Sequence, residues 1–536
     1  MLKFVFQFIF IFGVVFGYRG QVIAEFEDFT MYYGDQTRSN ASVEDFIISK
    51  SNQLHCIQNQ LTFTNLFSKN TSKYSFDFVS NYTLPESKSI TFHGQGNKSS
   101  LFLYTPLGDQ LLGISSQETV FNKEPKLFYH IINPKVQGRN NYGFELNPNI
   151  IVNKNNDLSQ ITLVSSDDKE NAAVIYVPKT RPNEFTQVGY LNFNFKNPVP
   201  KGGTFVYPFP TSEYKLLDFY IQDSNLQFIL SGHYSIDHTS QFTGKQKDNF
   251  ESITIGKIEN NSFEFETIQF EGKFFNQIGI YKDNEAMILS GFYTNFIDGD
   301  VEGLFIAKIN TEGKVTDHHF APFSKDITIG ISGTNNRLTP DHNTIRNAYK
   351  GFSILEFIAI NDGYIGIAEF NALEYKYGSN DVPGAANAVD SYFWSNDIVT
   401  FKITKSGDFA WNKIIQKHQR SINDGGYYLS NSSIIHEDHL HLFFNDSKLN
   451  YNENGVYIRK GKLPFSTHFS TAKNTIAHTK IDINTGEVSR KSTIGKEQSN
   501  VIFTPLLSRG ASKENKMFIY GRSGKKHRLG SIHFKQ

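Results

Sequence analysis

The sequence predicts an all-β chain assembled from repeated sheets, and three observations carry that reading. A strand signature recurs as Ile253-x-x-x-Lys257-Ile258, Leu304-x-x-x-Lys308-Ile309, Ile398-x-x-x-Lys402-Ile403 and Ile476-x-x-x-Lys480-Ile481, and self-similarity of this kind marks repeat architectures. Each copy is followed by a turn pair, Asn260-Asn261, Glu312-Gly313, Ser406-Gly407 or Thr485-Gly486, whose residues tolerate the positive φ of a tight hairpin. Both parities of the signature strand are apolar, with Leu304 and Ile306 on one side and Phe305 and Ile309 on the other. A strand apolar on both faces is covered on both faces, as an inner strand of stacked four-stranded sheets would be.

The signature lysines are unequally spaced. Rigidly stacked solenoids are more regular, whereas each blade of a propeller is a self-contained sheet that tolerates long loops. The predicted architecture is therefore a β-propeller of four-stranded blades. The count comes to seven, with eight allowed because residues 35 to 147 are poorly phased. The Lys closes its strand, and its stem is expected to cover apolar surface while its ammonium reaches water.

Along the chain, Met1-Leu2-Lys3 precedes an apolar run from Phe4 to Phe16. A charged start and a short apolar segment are the plan of a secretory signal, so residues 1–20 are read as a signal peptide. The run is too short to cross a bilayer easily, which takes ~20 residues, and no other stretch is expected to span. The expected location is secreted or periplasmic. Residues 21–536 read as a single propeller domain. Residues 22–34 form a strand without a repeat of its own. Clear repeats follow at about 211–270, 274–323, 353–418 and 427–492. The last, about 501–536, lacks its outer strand, so the N-terminal strand is predicted to complete it and close the ring, removing two unpaired edges. No segment carries a long helical period.

Lys+Arg and Asp+Glu are balanced at 53 each, which gives no support to a nucleic-acid partner, whose binding needs clustered positive charge. Cys56 is the single cysteine, so no intrachain disulfide forms. His436-Glu437-Asp438-His439-Leu440-His441 and Asp298-Gly299-Asp300 with Glu302 are the densest sets of metal-ligating types. Neither has the spacing of a helical zinc motif or a twelve-residue calcium loop, and each reads better as a polar turn. No metal and no cofactor is expected. Gly521-Arg522-Ser523-Gly524-Lys525 lacks the spacing and the helix of a phosphate loop.

These repeats resemble those of β-propeller proteins. With the export signal and the loose phasing, the chain is similar to uncharacterised secreted propeller-type proteins of Gram-negative bacteria, over most of residues 22–536. Tryptophan–aspartate dipeptides, kelch double glycines and tandem Asp-rich metal loops are missing, so no family site residue carries over. The resemblance implies binding or scaffolding by analogy.

The expected function is an exported binding or scaffolding propeller for a protein or glycan partner. The alternative is a propeller-type polysaccharide hydrolase or lyase using Asp and His from blade loops. No catalytic residues are assignable, and a binding role is expected ahead of an enzymatic one. In four repeats the variable insertion falls between the second and third strands, at 235–249, 294–303, 371–396 and 446–473. Equivalent blades would send all four to one face, where long loops on a rigid scaffold tend to carry recognition. The candidate contact residues are Tyr377, Asp390, Trp394, Tyr451 and Tyr457, chosen as aromatics and a carboxylate on the two longest insertions.

Overall fold

The computed structural model describes residues 21–535 except 39–41, 52–53, 63–70, 79–90, 94–97, 118–125, 134–139, 147–157, 179–183, 211–212, 223–225, 235–248, 260–261, 284–286, 298, 337–343, 378–388, 459–464, 467–472 and 512–514. The signal segment 1–20 and most of the 235–249 insertion lie outside the described residues.

The chain is an all-β propeller. Among the described residues its strands fall into eight sheets in chain order. Blade 1 is Ser42–Ile48, Leu54–Thr62 and Thr71–Phe78. Blade 2 runs from Lys98–Leu107 through Gln110–Gln117 and Lys126–Ile132 to Phe144–Glu145, and blade 3 from Leu158–Ser165 to Asn197–Pro210. Blade 4 begins at Tyr214–Ile221, blade 5 at Phe274–Lys282, blade 6 at Thr344–Ile360 and blade 7 at Ser432–His436. Blade 8 comprises Ile502–Phe503, Arg509–Ala511, Lys516–Ser523 and Lys526–Phe534. The ring thus has the eight sheets that were allowed rather than the seven favoured. Blades 1 and 2 form separate sheets but lack the signature Lys, which hid their phase.

Closure occurs as expected. Phe29–Tyr33 pairs antiparallel with Lys526–Phe534, in a register that sets Phe29 opposite Phe534 and Tyr33 opposite Gly530. Gln21–Glu25 adds one further strand outside it. Eight apolar clusters, one between each pair of neighbouring blades, bind the ring together. The last joins Val43, Phe46 and Cys56 of blade 1 to Leu507, Tyr520 and Leu529 of blade 8, so the circle is complete.

The signature strands are the third strands of blades 4–7. Leu304 and Phe305 are fully buried, as their two-sided apolar pattern requires. The turn glycines adopt the left-handed region, with φ of 81° at Gly313, 97° at Gly407 and 70° at Gly486. Each signature lysine meets a carboxylate: Lys257 with Glu259, Lys308 with Asp317, Lys402 with Asp362 and Lys480 with Asp28. Lys308 is more than a third exposed, while Lys402 is buried along its length and reaches the exposed Asp362.

One element was not expected, a helix at Lys325–Asn336 between blades 5 and 6. Its sequence is rich in β-branched residues and glycine, which are poor helix formers. Packing holds it instead. Ile327 and Ile331, four apart and hence on one face, are buried in the cluster between blades 5 and 6. A Cβ on Gly330 would stand 2.2 Å from the Ile414 Cδ1 methyl, so a larger residue there would have to turn that side chain aside.

Candidate binding face

Antiparallel order decides which connections share a face. In each four-stranded blade the second-to-third connections and the crossings to the next blade emerge on one side, here called upper. The third-to-fourth turns emerge on the other. Side chains confirm the grouping. Asn249, at the end of the blade 4 insertion, donates to the carbonyls of Ile297 (2.8 Å) and Gly299 (3.2 Å) in the blade 5 insertion. On the lower side, His319 Nε2 lies 3.2 Å from Asp408, and Trp411 Nε1 donates to the Ile483 carbonyl at 2.8 Å.

Blade 6 departs from its neighbours. Its strands are 17, 15, 16 and 14 residues long, against 9, 8, 7 and 8 in blade 5. The insertion 371–396, read from sequence as a loop, is mostly strand: 371–377 prolongs the second strand and 389–396 the third. The sheet stands above the ring by about seven residues, roughly 20 Å at strand rise.

One side of this projecting sheet faces blade 5 and the helix. Its registers set the rows Glu374–Tyr392–Ile422, Ala372–Trp394–Arg420 and Asn396–His418. The Arg420 guanidinium lies 4.7 Å from the Tyr392 ring centre and 5.0 Å from that of Trp394, a cation–π arrangement. Trp394 also stacks on His418 at 6.1 Å.

The other side faces blade 7 and is polar and closed. Lys417 and Glu369 are both wholly buried, with Nζ 2.5 Å from Oε1. Lys417 also donates to Ser395 Oγ (2.7 Å) and Gln419 Oε1 (3.0 Å). Glu369 accepts from Ser430 Oγ at 2.6 Å and Asn431 Nδ2 at 3.0 Å, both on the crossing into blade 7. Burial pushes the Lys417 ammonium pKa down, against the pull of Glu369. A second buried pair, Arg490 with Asp446, lies beside it; Arg490 also donates to Tyr451 Oη at 2.8 Å, and Tyr451 Oη donates to Asp446 at 2.7 Å. The Arg490 guanidinium is 4.1 Å from the Tyr457 ring centre.

The five candidate residues therefore divide. Asp390 and Trp394 stand on the projecting strand, Asp390 accepting from Asn423 Nδ2 at 2.7 Å. Tyr377 ends the neighbouring strand opposite Val389; its side chain lies outside the described residues. Tyr451 and Tyr457 come together, 5.7 Å apart, in the Arg490 cluster that fastens the blade 7 insertion to its own blade. Tyr451 is buried there and Tyr457 is partly exposed.

Sequence reasoning missed a set of carboxylates near the axis. Asp45, Asp218 and Glu356 sit at bulges in the first strands of blades 1, 4 and 6, and each reaches an adjoining blade. Asp45 meets Arg509 at 2.7 Å, Asp218 accepts from the Ile280 amide at 2.8 Å and Glu356 accepts from Ser433 Oγ. Burial raises the pKa of all three. The signal was an acid–Phe dipeptide, Asp45-Phe46, Asp218-Phe219 and Glu356-Phe357.

Two other polar sets resemble chemistry but serve packing. Ser115 Oγ lies 2.7 Å from His130 Nε2, and His130 Nδ1 lies 3.0 Å from Asn141 Oδ1. Ser115 and His130 are both wholly buried, so the chain of bonds ties strands of blade 2. In the 436–441 cluster, His441 Nδ1 contacts His478 Nε2 at 2.9 Å, and His436 Nε2 contacts the Lys535 carbonyl at 3.1 Å. No group of three or more metal-ligating side chains assembles among the described residues, and no helix among them is long and apolar enough to cross a membrane.

No family model matches the chain, and no curated protein matches its sequence. Among solved structures the chain is similar to the WD40 domain of SCAP from fission yeast, with 9% identity, 97% of this chain and 98% of that one covered, and a TM-score of 0.37. It is also similar to the β-propeller domain of the Trilobed protease from Pyrococcus furiosus, at 8% identity, 82% and 95% coverage and a TM-score of 0.31. Prolyl oligopeptidase B from Galerina marginata matches at 8% identity over 92% of this chain, with a TM-score of 0.33, and the chain spans 56% of its length. Likenesses this distant carry no functional argument; the propeller rests on the chain's own eight sheets.

Proposed function

We propose that this propeller is a binding or scaffolding protein whose partner is another protein, docked on the upper face of blades 5–7. The observation that carries the reading is a set of exposed apolar side chains on the upper connections there, distinct from a second set, Phe185, Val199, Val206 and Phe265, on the two outer strands of blade 3 and the outermost of blade 4. Phe296 (70% exposed) belongs to the blade 5 insertion, Ile329 to the helix, Val389 to the projecting sheet, and Leu449 and Val456 to the blade 7 insertion. Exposed apolar groups gathered on one face favour a protein interface. The scaffold beneath them is rigid: the Lys417–Glu369 and Arg490–Asp446 pairs hold the projecting sheet and the blade 7 insertion to the ring.

A photo-cross-linking residue placed at Val389 or Leu449 tests this in extracts of the source cells. One adduct mass common to both positions and absent from Val488, which is exposed beside the lower Gly486 turn, is the expected result. Adducts at Val488 alone, or at none of the three, would refute it. A glycan ligand would instead show as a hit on a glycan array without protein adducts. The hydrolase or lyase reading has less behind it, because the axial carboxylates are already engaged with adjoining blades. Export remains part of the proposal, with residues 1–20 removed. A mature chain beginning near Gln21 supports it, and a protein retaining Met1 contradicts it.

A further inference from the structure

Several buried or half-buried arginines of the upper half of the ring have partners, and Arg528 donates to the Gly34 and Ser499 carbonyls. Arg490 is paired with Asp446, and Arg509 with Asp45. Arg420 is half-buried on the outer strand of the projecting sheet. Among the described residues its guanidinium has aromatic neighbours, Tyr392 and Trp394, and no carboxylate. Its Nε is buried with no hydrogen-bond partner. In the same patch Asn396 is wholly buried with both ends of its amide unpartnered, and the Trp394 Nε1 donor is unpartnered as well. The acid closest in register, Glu374, has the Lys376 ammonium 3.1 Å away but no hydrogen bond to either oxygen, and Asp390 is held by Asn423.

Resting on the proposed upper-face interface, we infer that Arg420 is the anchor for a carboxylate of the partner, so that the docked segment is an acidic peptide stretch with apolar flanks. A guanidinium clamped between two rings has lost its rotamer freedom before binding, and its planar fork suits a carboxylate. Trp394 Nε1, unpartnered beside it, is a second donor that an acidic segment can use. Leaving such donors and a desolvated cation unpaired is unfavourable, and a carboxylate ligand relieves both. The apolar flanks would sit on Val389 and Ile329.

A displayed library of random twelve-residue peptides, selected on the full chain, tests the inference. The expected binders carry Asp or Glu beside apolar residues, lose at least tenfold in affinity to the Arg420→Gln protein, retain part of it with Arg420→Lys, and weaken as salt is raised. An unchanged melting temperature for both variants separates a lost contact from a lost fold. Binders that lack acidic residues, or ignore Arg420→Gln while responding to Leu449→Asp or Phe296→Asp, overturn the anchor and leave the upper-face reading standing. Binders indifferent to all these changes, or no binders, overturn both.

Discussion

His441 Nδ1 and His478 Nε2 lie 2.9 Å apart with their rings only 4° from parallel, buried where blade 7 meets blade 8. Phe29 of the closing strand packs edge-on against His478 at 4.9 Å, and Phe534 lies over His441 at 4.6 Å. Burial, with help from neighbouring positive charge, pushes the His441 pKa down to about 2. Burial, opposed by Asp28, pushes that of His478 down to about 4. An unfolded histidine titrates near 6.5, so below that pH the unfolded chain binds more protons than the folded one, and stability falls as pH falls. The loss reaches about 1.4 kcal/mol per pH unit for each histidine. Asp45, Asp218 and Glu356, whose pKa values burial raises, act in the opposite sense, favouring the folded chain as pH falls. A comparison with His478→Gln cancels their contribution. The wild-type urea midpoint should drop more steeply between pH 7 and pH 5 than the variant's; parallel curves would show the pair is not closed off from water.

A second prediction separates the signature lysine from the core beneath it. Lys308→Ala should cost under about 1 kcal/mol, because its pair with Asp317 is exposed and screened. Ile306→Ala should cost ~2–5 kcal/mol as a buried large-to-small change. Chemical denaturation of the two variants gives the comparison, and equal losses would mean the third strand is not sandwiched.

The seam between blades 6 and 7 makes a third. Lys417→Met leaves the Glu369 carboxylate buried without its cation and should cost about 3–5 kcal/mol. Adding Glu369→Gln lets the amide oxygen keep the bond from Asn431 while the amide nitrogen donates to Ser430 Oγ, and should restore at least half of the loss. Should the single variant unfold at the wild-type midpoint, the pair contributes nothing to the seam.

Much of this architecture was legible because it is local. The signature strands, their Gly turns and the sharing of one face by the insertions follow from alternation and turn chemistry within a few residues. The closing strand was legible by subtraction, since residues 22–34 had no repeat and the last repeat had no outer strand. What was hidden depends on distant partners. Tyr451 read as a contact residue, yet Arg490 from another strand claims it. The insertion at 371–396 read as loop because its pairing is long-range, although Leu373 and Tyr375 alternate as a strand does. The helix at Lys325–Asn336 has little propensity of its own, and its partners lie in blades 5 and 6. The acid–Phe dipeptides were visible as a repeat, but nothing local says that each acid crosses to another blade.

The closed ring rests on the pairing of Phe29–Tyr33 with the last strand. The direct measurement is a disulfide trap. Cysteines at Thr30 and His533, partners in the register, are introduced with Cys56→Ser, and the oxidised protein is mapped by mass spectrometry. Cross-strand partners lie about 4.5–5.5 Å apart at Cα, within disulfide reach. A bond formed in high yield, with a raised melting temperature that falls back on reduction, is the result expected here. Two free thiols after oxidation of the folded protein would contradict the closed ring.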